Sequence, residues 1–150
     1  MTGLRTRHRS ADDSPGLALW RTTNAWQREI RAALTPHDLT HVQYVLLASV
    51  TWMDRSEPVT QRDLAAHTGA DVMMTSQVVR TLERKGLVTR DSHPRDRRAV
   101  VVAPTAEGAE LAGRATVDVE AVDDAFFASL SSDRRTAFVA ALRDLAGRPV

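Results

Sequence analysis

Apolar positions recur along the chain at helical spacing, change period once, and then return to it. Trp26, Ile30, Ala33 and Leu34 fall at i, i+4, i+7 and i+8, one stripe of a helix. Ser14-Pro15 supplies an N-cap and a first-turn proline for it, and Thr35-Pro36 ends it near Leu34. Val42, Val45, Leu46, Ser49, Val50 and Met53 form the stripe of a second, core-facing helix beginning around Asp38 or Thr40. A polar break follows at residues 54–58. Thr60 then caps a short helix, with Asp63 completing a capping box, Leu64 and Ala65 as apolar members and Gly69 as the stop. Asp71 caps the next helix, which runs to Lys85 and ends at Gly86.

Here the period changes. Residues 87–90 (LVTR) and 99–102 (AVVV) are β-branched runs around DSHPRDRR, which predicts a β-hairpin with a long basic loop. Thr105 starts a long helix carrying Leu111, Ala115, Val119, Val122 and Phe126, and Ser131 or Ser132 caps a last one with Phe138, Leu142 and Leu145. The predicted fold is mainly α with a small β-hairpin. Residues 60–104 form a winged helix-turn-helix lobe, residues 14–59 and 105–150 a helical region, and residues 1–13 a flexible basic tail. Arg5, Arg7 and Arg9 make that tail either a solvated segment or an arm on DNA.

The 150 residues include no cysteine, which excludes disulfides, thiolate metal sites and thiol switches. No apolar run approaches the roughly 20 residues of a membrane span, so a cytoplasmic protein is expected, without membrane partners. Net charge is only +1, but it is segregated: residues 73–98 hold seven basic and three acidic groups, whereas residues 99–150 hold five against eight. A local basic field of that kind attracts phosphate.

The second short helix has a free polar face. Spacing residues 100° apart puts Thr75, Val78, Val79 and Leu82 on one side and Met73, Ser76, Gln77, Arg80 and Arg84 on the other. Arginine can bond guanine bidentately and glutamine adenine, serine suits base edge or phosphate, and methionine can pack on a thymine methyl. Arg95, Arg97 and Arg98 on the wing suit the minor groove and phosphates, with Asp96 pairing an arginine to stiffen the loop.

These residues resemble the MarR (multiple antibiotic resistance regulator) family. The similarity lies in VTQRDLAAHTGADVMMTSQVVRTLERKGLVTR, the wing and following helix start DSHPRDRRAVVVAPTAEG, and the closing LSSDRRTAFVAALRDL. Asp96-Arg97-Arg98 and the T-x-x-G of Thr105 and Gly108 are its most specific parts; Ala103-Pro104 departs from it, where an apolar residue such as leucine is common. The resemblance implies a homodimeric transcriptional regulator, expected to act as a repressor, with terminal helices at the dimer interface and two lobes on a pseudo-palindrome of double-stranded DNA. Apolar stripes at both ends, including Leu17, Phe126, Phe138, Leu142 and Leu145, are the expected interface. The resemblance also implies a small aromatic or anionic effector, for which Trp20, Trp26, His41, Tyr44 and Trp52 are the candidate pocket.

An architectural DNA-binding protein and a small enzyme are the competing classes. The histidines form no H-E-x-x-H pair, no glycine loop suits a phosphate, and no serine has nucleophile-elbow surroundings, so neither a catalytic residue nor a cofactor nor a metal is expected.

Overall fold

The computed structural model describes residues 5–53 and 56–147. The first four tail residues, Asp54 and Arg55 of the polar break and the last three residues lie outside them. Helix starts fall on side chains able to accept a backbone N–H, which is why the elements begin where they do. Ser14 caps α1 (Pro15–Leu34) and Thr40 caps α2 (His41–Trp52), the latter in a reciprocal box with Gln43. Asp38, the other candidate start, instead adopts a left-handed turn at φ 51° after a 3-10 turn at Thr35–His37. Thr60 and Asp63 form the expected box at α3 (Gln61–Thr68), and Asp71 caps α4 (Val72–Arg84). Gly69 and Gly86, at φ 67° and 73°, terminate these two helices with left-handed backbone that side chains disfavour. Ser10 to Asp13, inside the segment expected as a tail, carries a 3-10 turn, and Arg21 pairs with Asp12.

The hairpin is longer in strand and shorter in loop than the sequence predicts. Strand β1 (Val88–His93) pairs antiparallel with β2 (Asp96–Pro104), leaving only Pro94 and Arg95 in the turn. Arg97 and Arg98 therefore sit on a strand, not in a loop. The register runs from Val88 opposite Pro104 to Ser92 opposite Val100, then jumps to His93 opposite Asp96. Residues 97–99 bulge out of the ladder between those pairs. A solvated ribbon needs no apolar alternation, so its strands leave little trace in a hydrophobic pattern. The hairpin is also tied inward, since Val102 donates to the Val59 carbonyl at 2.8 Å and Thr60 bridges Val101.

Thr105 caps α5 (Ala106–Phe126), and Ser131 caps α6 (Ser132–Ala146). The core gathers Ile30 and Leu34 of α1, Leu46, Leu47 and Val50 of α2, Leu64, Val79 and Leu82 of the two short helices, and Ala112, Ala115 and Val119 of α5. Thr75 is fully buried and donates its hydroxyl to the Asp71 carbonyl, so the core carries no polar cost there. Helix α5 meets the lobe at Gly108, where an added Cβ would lie 1.9 Å from the Leu87 carbonyl oxygen. Thr105 locks this joint, donating its N–H to Leu87 and its hydroxyl to the Gly86 carbonyl. The T-x-x-G spacing thus has a steric reason.

Candidate nucleic-acid interface

Helix α4 is held by its buried side and leaves the other free. Thr75, Val79 and Leu82 are at most 1% exposed, whereas Met73 is 74% exposed. Gln77, Arg80 and Arg84 are also exposed, and Ser76 is half-buried. Among the described residues no partner engages the side chains of Gln77 or Arg80, while Arg84 donates to the Thr81 hydroxyl at 2.9 Å. The one acid near this face, Glu83, is neutralised by Arg90 of β1 at 3.3 Å. Arg90 also donates to Gln61 at the start of α3, so one guanidinium ties wing to both short helices. What remains on the outer face of α4 is amide, guanidinium, hydroxyl and thioether, a surface able to donate to base edges without an opposing carboxylate.

Arg95, Arg97 and Arg98 are all exposed on the wing. Arg95 stands 3.9 Å from the Glu57 carboxylate, at the limit of an ion pair, with both groups largely in solvent. Asp96 does not make the expected pairing with an arginine side chain. Its carboxylate accepts the backbone N–H of Arg98 at 3.0 Å, a short-range turn bond that leaves the guanidinium free. His93 Nδ1 accepts the Arg95 N–H in the same manner.

Two cations escape the sequence pattern. Arg62, exposed on the first turn of α3, lines a cleft of about 530 Å³ together with Arg98 and Thr60, between helix and wing. Its only signal is its place just after a cap. The Thr60 hydroxyl and N–H hold the Asp63 carboxyl in that cleft below the usual carboxylate range. Lys85, the chain's single lysine, closes α4 by donating to the Asp38 carbonyl and pairing with its carboxylate at 3.1 Å. It fixes the end of α4 against the turn that precedes α2.

The MarR family profile matches residues 39–100, which cover α2 through most of the wing. An uncharacterized HTH-type transcriptional regulator of Bacillus subtilis (strain 168), YdcH, is 44% identical over 133 residues, 88% of this chain and 89% of that protein. The chain belongs to the MarR family. Transcription regulation and DNA binding are the functions this membership carries. Among solved structures, CouR of Rhodococcus jostii RHA1 bound to p-coumaroyl-CoA is similar at 28% identity and TM-score 0.84, covering 95% of this chain and 99% of that one. The Mycobacterium tuberculosis MarR-family protein Rv2887, in complex with DNA, is similar at 29% identity and TM-score 0.66, covering 90% and 98%.

In this MarR-family chain the five aromatic pocket candidates do not converge on one site. Trp20 is 68% exposed on α1. Trp26 meets His41 edge to face at 5.1 Å and donates its indole N–H to Asp123 of α5 at 2.7 Å. Burial pushes the His41 imidazole below its ordinary value, nearby Arg31 adds to that, and Asp123 opposes it. Only Tyr44 and Trp52 share a cavity, of about 450 Å³ between α2, α3 and α5. His37 and His41, four residues apart, take different partners, since His37 bonds Asp118 at 2.6 Å. Among the described residues no cluster of three or more His, Asp or Glu is placed to hold a metal, and no helix is long and apolar enough to cross a membrane.

The expected interface residues lie on α1, α5 and α6. Phe126 and Phe127 pack edge to face at 5.2 Å, and Phe138 of α6 tilts against Phe127 at 5.8 Å. Leu17 is half-buried, while Leu142 and Leu145 are 40% and 58% exposed.

Proposed function

We propose that the chain is a sequence-specific repressor that binds a pseudo-palindromic operator as a homodimer and is released by a small aromatic molecule. The observation that carries the reading is the outer face of α4: Gln77 and Arg80 unengaged, with Glu83 neutralised by Arg90. Placed in a major groove, Arg80 and Gln77 read bases, Met73, Ser76 and Arg84 add contacts at the rim, and Arg95, Arg97 and Arg98 hold phosphates or the adjacent minor groove. The DNA complex of Rv2887 supports that docking. The dimer is supported by α6, which buries no residue within its own chain. In an isologous pairing through α1, α5 and α6, reading two successive major grooves requires the two copies of α4 to stand roughly 34–36 Å apart. The ligand-bound state of CouR supports an effector, with the cavity beside Tyr44 and Trp52 as its place here.

Selection of bound fragments from genomic DNA with the purified protein tests the reading. It should return inverted half-sites about one helical turn apart. Enrichment without any sequence preference supports an architectural protein instead.

A further inference from the structure

Among the described residues, the cavity between α2, α3 and α5 is lined by a carboxylate and by no arginine or lysine. Among the same residues Glu120 of α5 is its one carboxylate, and it makes no ion pair. Of the four hydroxyls around the cavity, three already donate; the Ser49 hydroxyl and the His67 imidazole complete its polar lining. Tyr44 donates to Thr116 at 3.3 Å, Thr116 donates to the Ala112 carbonyl at 2.8 Å, and Thr51 donates to the Leu47 carbonyl at 2.7 Å. Apart from Ser49 and His67, the lining therefore offers oxygen lone pairs more than N–H or O–H groups. An anion there would meet the Glu120 carboxylate with only those two donors to set against it, and three hydroxyls would have to break bonds they now make to turn toward it.

Two further features point the same way. Helix α5 holds six acidic residues; Arg114 pairs with Glu110 at 2.7 Å, Arg135 of α6 with Asp124 at 3.5 Å, and His37 bonds Asp118 at 2.6 Å, which still leaves acidic groups in excess along this helix. Trp52, 88% exposed, and Tyr44 put aromatic rings on the facing helix, and such rings attract cations over their faces. At about 450 Å³ the space suits a small organic molecule.

We infer that this cavity binds a cationic aromatic molecule, its charge against Glu120 and its ring beside Trp52 and Tyr44. The inference deepens the effector reading above and rests on it for any consequence at DNA. Gly113 lines the same space, and a Cβ there would touch nothing within 4 Å, so Gly113→Leu fills the cavity without forcing the fold.

The test is calorimetric titration of the full chain with benzyltrimethylammonium, benzoate and benzyl alcohol. The cation should bind on the order of tenfold more tightly than benzoate. Glu120→Gln should remove most of that preference, and Gly113→Leu should abolish cation binding with the circular dichroism spectrum retained. Benzoate binding as tightly as the cation, no cation binding at millimolar concentration, or an affinity unmoved by both variants overturns the assignment. Fluorescence anisotropy of bound operator, read in the same titration, separates the two claims. Cation binding without DNA release supports the site while defeating release by ligand.

Discussion

The winged lobe and the helices at the chain ends both carry apolar stripes, yet they satisfy them differently. In the lobe, Leu64, Val79, Leu82, Val88 and Val102 are at most 2% exposed, covered by the short helix pair, the hairpin and α2 of the same chain. On α1 and α6, Trp20, Leu142 and Leu145 stand 68%, 40% and 58% exposed, and α6 buries nothing. Scattered exposed leucines are ordinary; a set spread over two helices that flank a phenylalanine stack is not. The difference teaches that the lobe covers its apolar side chains within one chain, whereas the terminal region leaves some of its own uncovered, as the proposed dimer requires. Its reading face can be rigid because its stability owes little to association.

Five tests break or sharpen this contrast. The largest effect belongs to the lobe: Leu64→Ala, at a fully buried site, should lower folding stability by about 3 kcal/mol in urea titrations, at every protein concentration. Next comes Leu145→Glu at the other end, which should raise the dimer dissociation constant about 100-fold, roughly 2.7 kcal/mol, with helicity retained. Light scattering with circular dichroism reads both quantities. Phe138→Glu is a less clean probe, because Phe138 packs on Phe127 within the chain and its loss mixes folding with association. If Leu145→Glu unfolds the protein, or leaves a dimer intact, the contrast fails.

Within the lobe, base reading and phosphate holding should separate. Arg80→Ala should cost about 2 kcal/mol on the preferred operator and relax its base preference. Arg97→Ala should cost about 1 kcal/mol on any duplex and flatten the salt dependence, since one fewer phosphate is neutralised. Anisotropy titrations on operator and scrambled duplexes distinguish them, and matching profiles for the two variants would sink the division of labour. The smallest effect concerns His41, under the terminal half. Its pKa is lower folded than unfolded, so the unfolded chain takes up the proton first. The stability His41 contributes is full above the ordinary histidine value of about 6.5 and is lost as pH falls from there through the folded-state value. His41→Gln should flatten the pH dependence of the urea midpoint across that window; an unchanged slope argues against the buried site.

Much of the fold is legible in the chain because its punctuation is chemical. Ser14, Thr60 with Asp63, Asp71, Thr105 and Ser131 all cap the helices they precede, and Gly69 and Gly86 stop the two they follow. These signals are local, so one sequence suffices to read them. The polar face of α4 was equally readable, because burial on a helix follows a fixed period. The hairpin's length was not, since Pro94 and four charges nearby suggest a loop although a two-residue turn accommodates the proline. The pocket was not legible either. Trp26 finds Asp123 across 97 residues, and Glu120, His67 and Gly113 join Tyr44 and Trp52 only through the packing of three helices. Nothing in spacing along the chain encodes such neighbours.

The contact at Gly108 has a mechanical side. Where helices meet through side chains, rotamers hop and methylenes slide, and a small displacement is absorbed. At this joint α5 rests on the peptide unit of Leu87 with no side chain between, and Thr105 grips the two carbonyls beside it. It acts as a bearing more than a cushion: a tilt of the long helix passes into the lobe as an angle, with little lost to compression. Leu87 follows closely on Arg84, the last residue of α4, so that angle reappears at the foot of the helix that faces DNA. In the proposed dimer the spacing of the two reading faces then reduces to one angle per protomer.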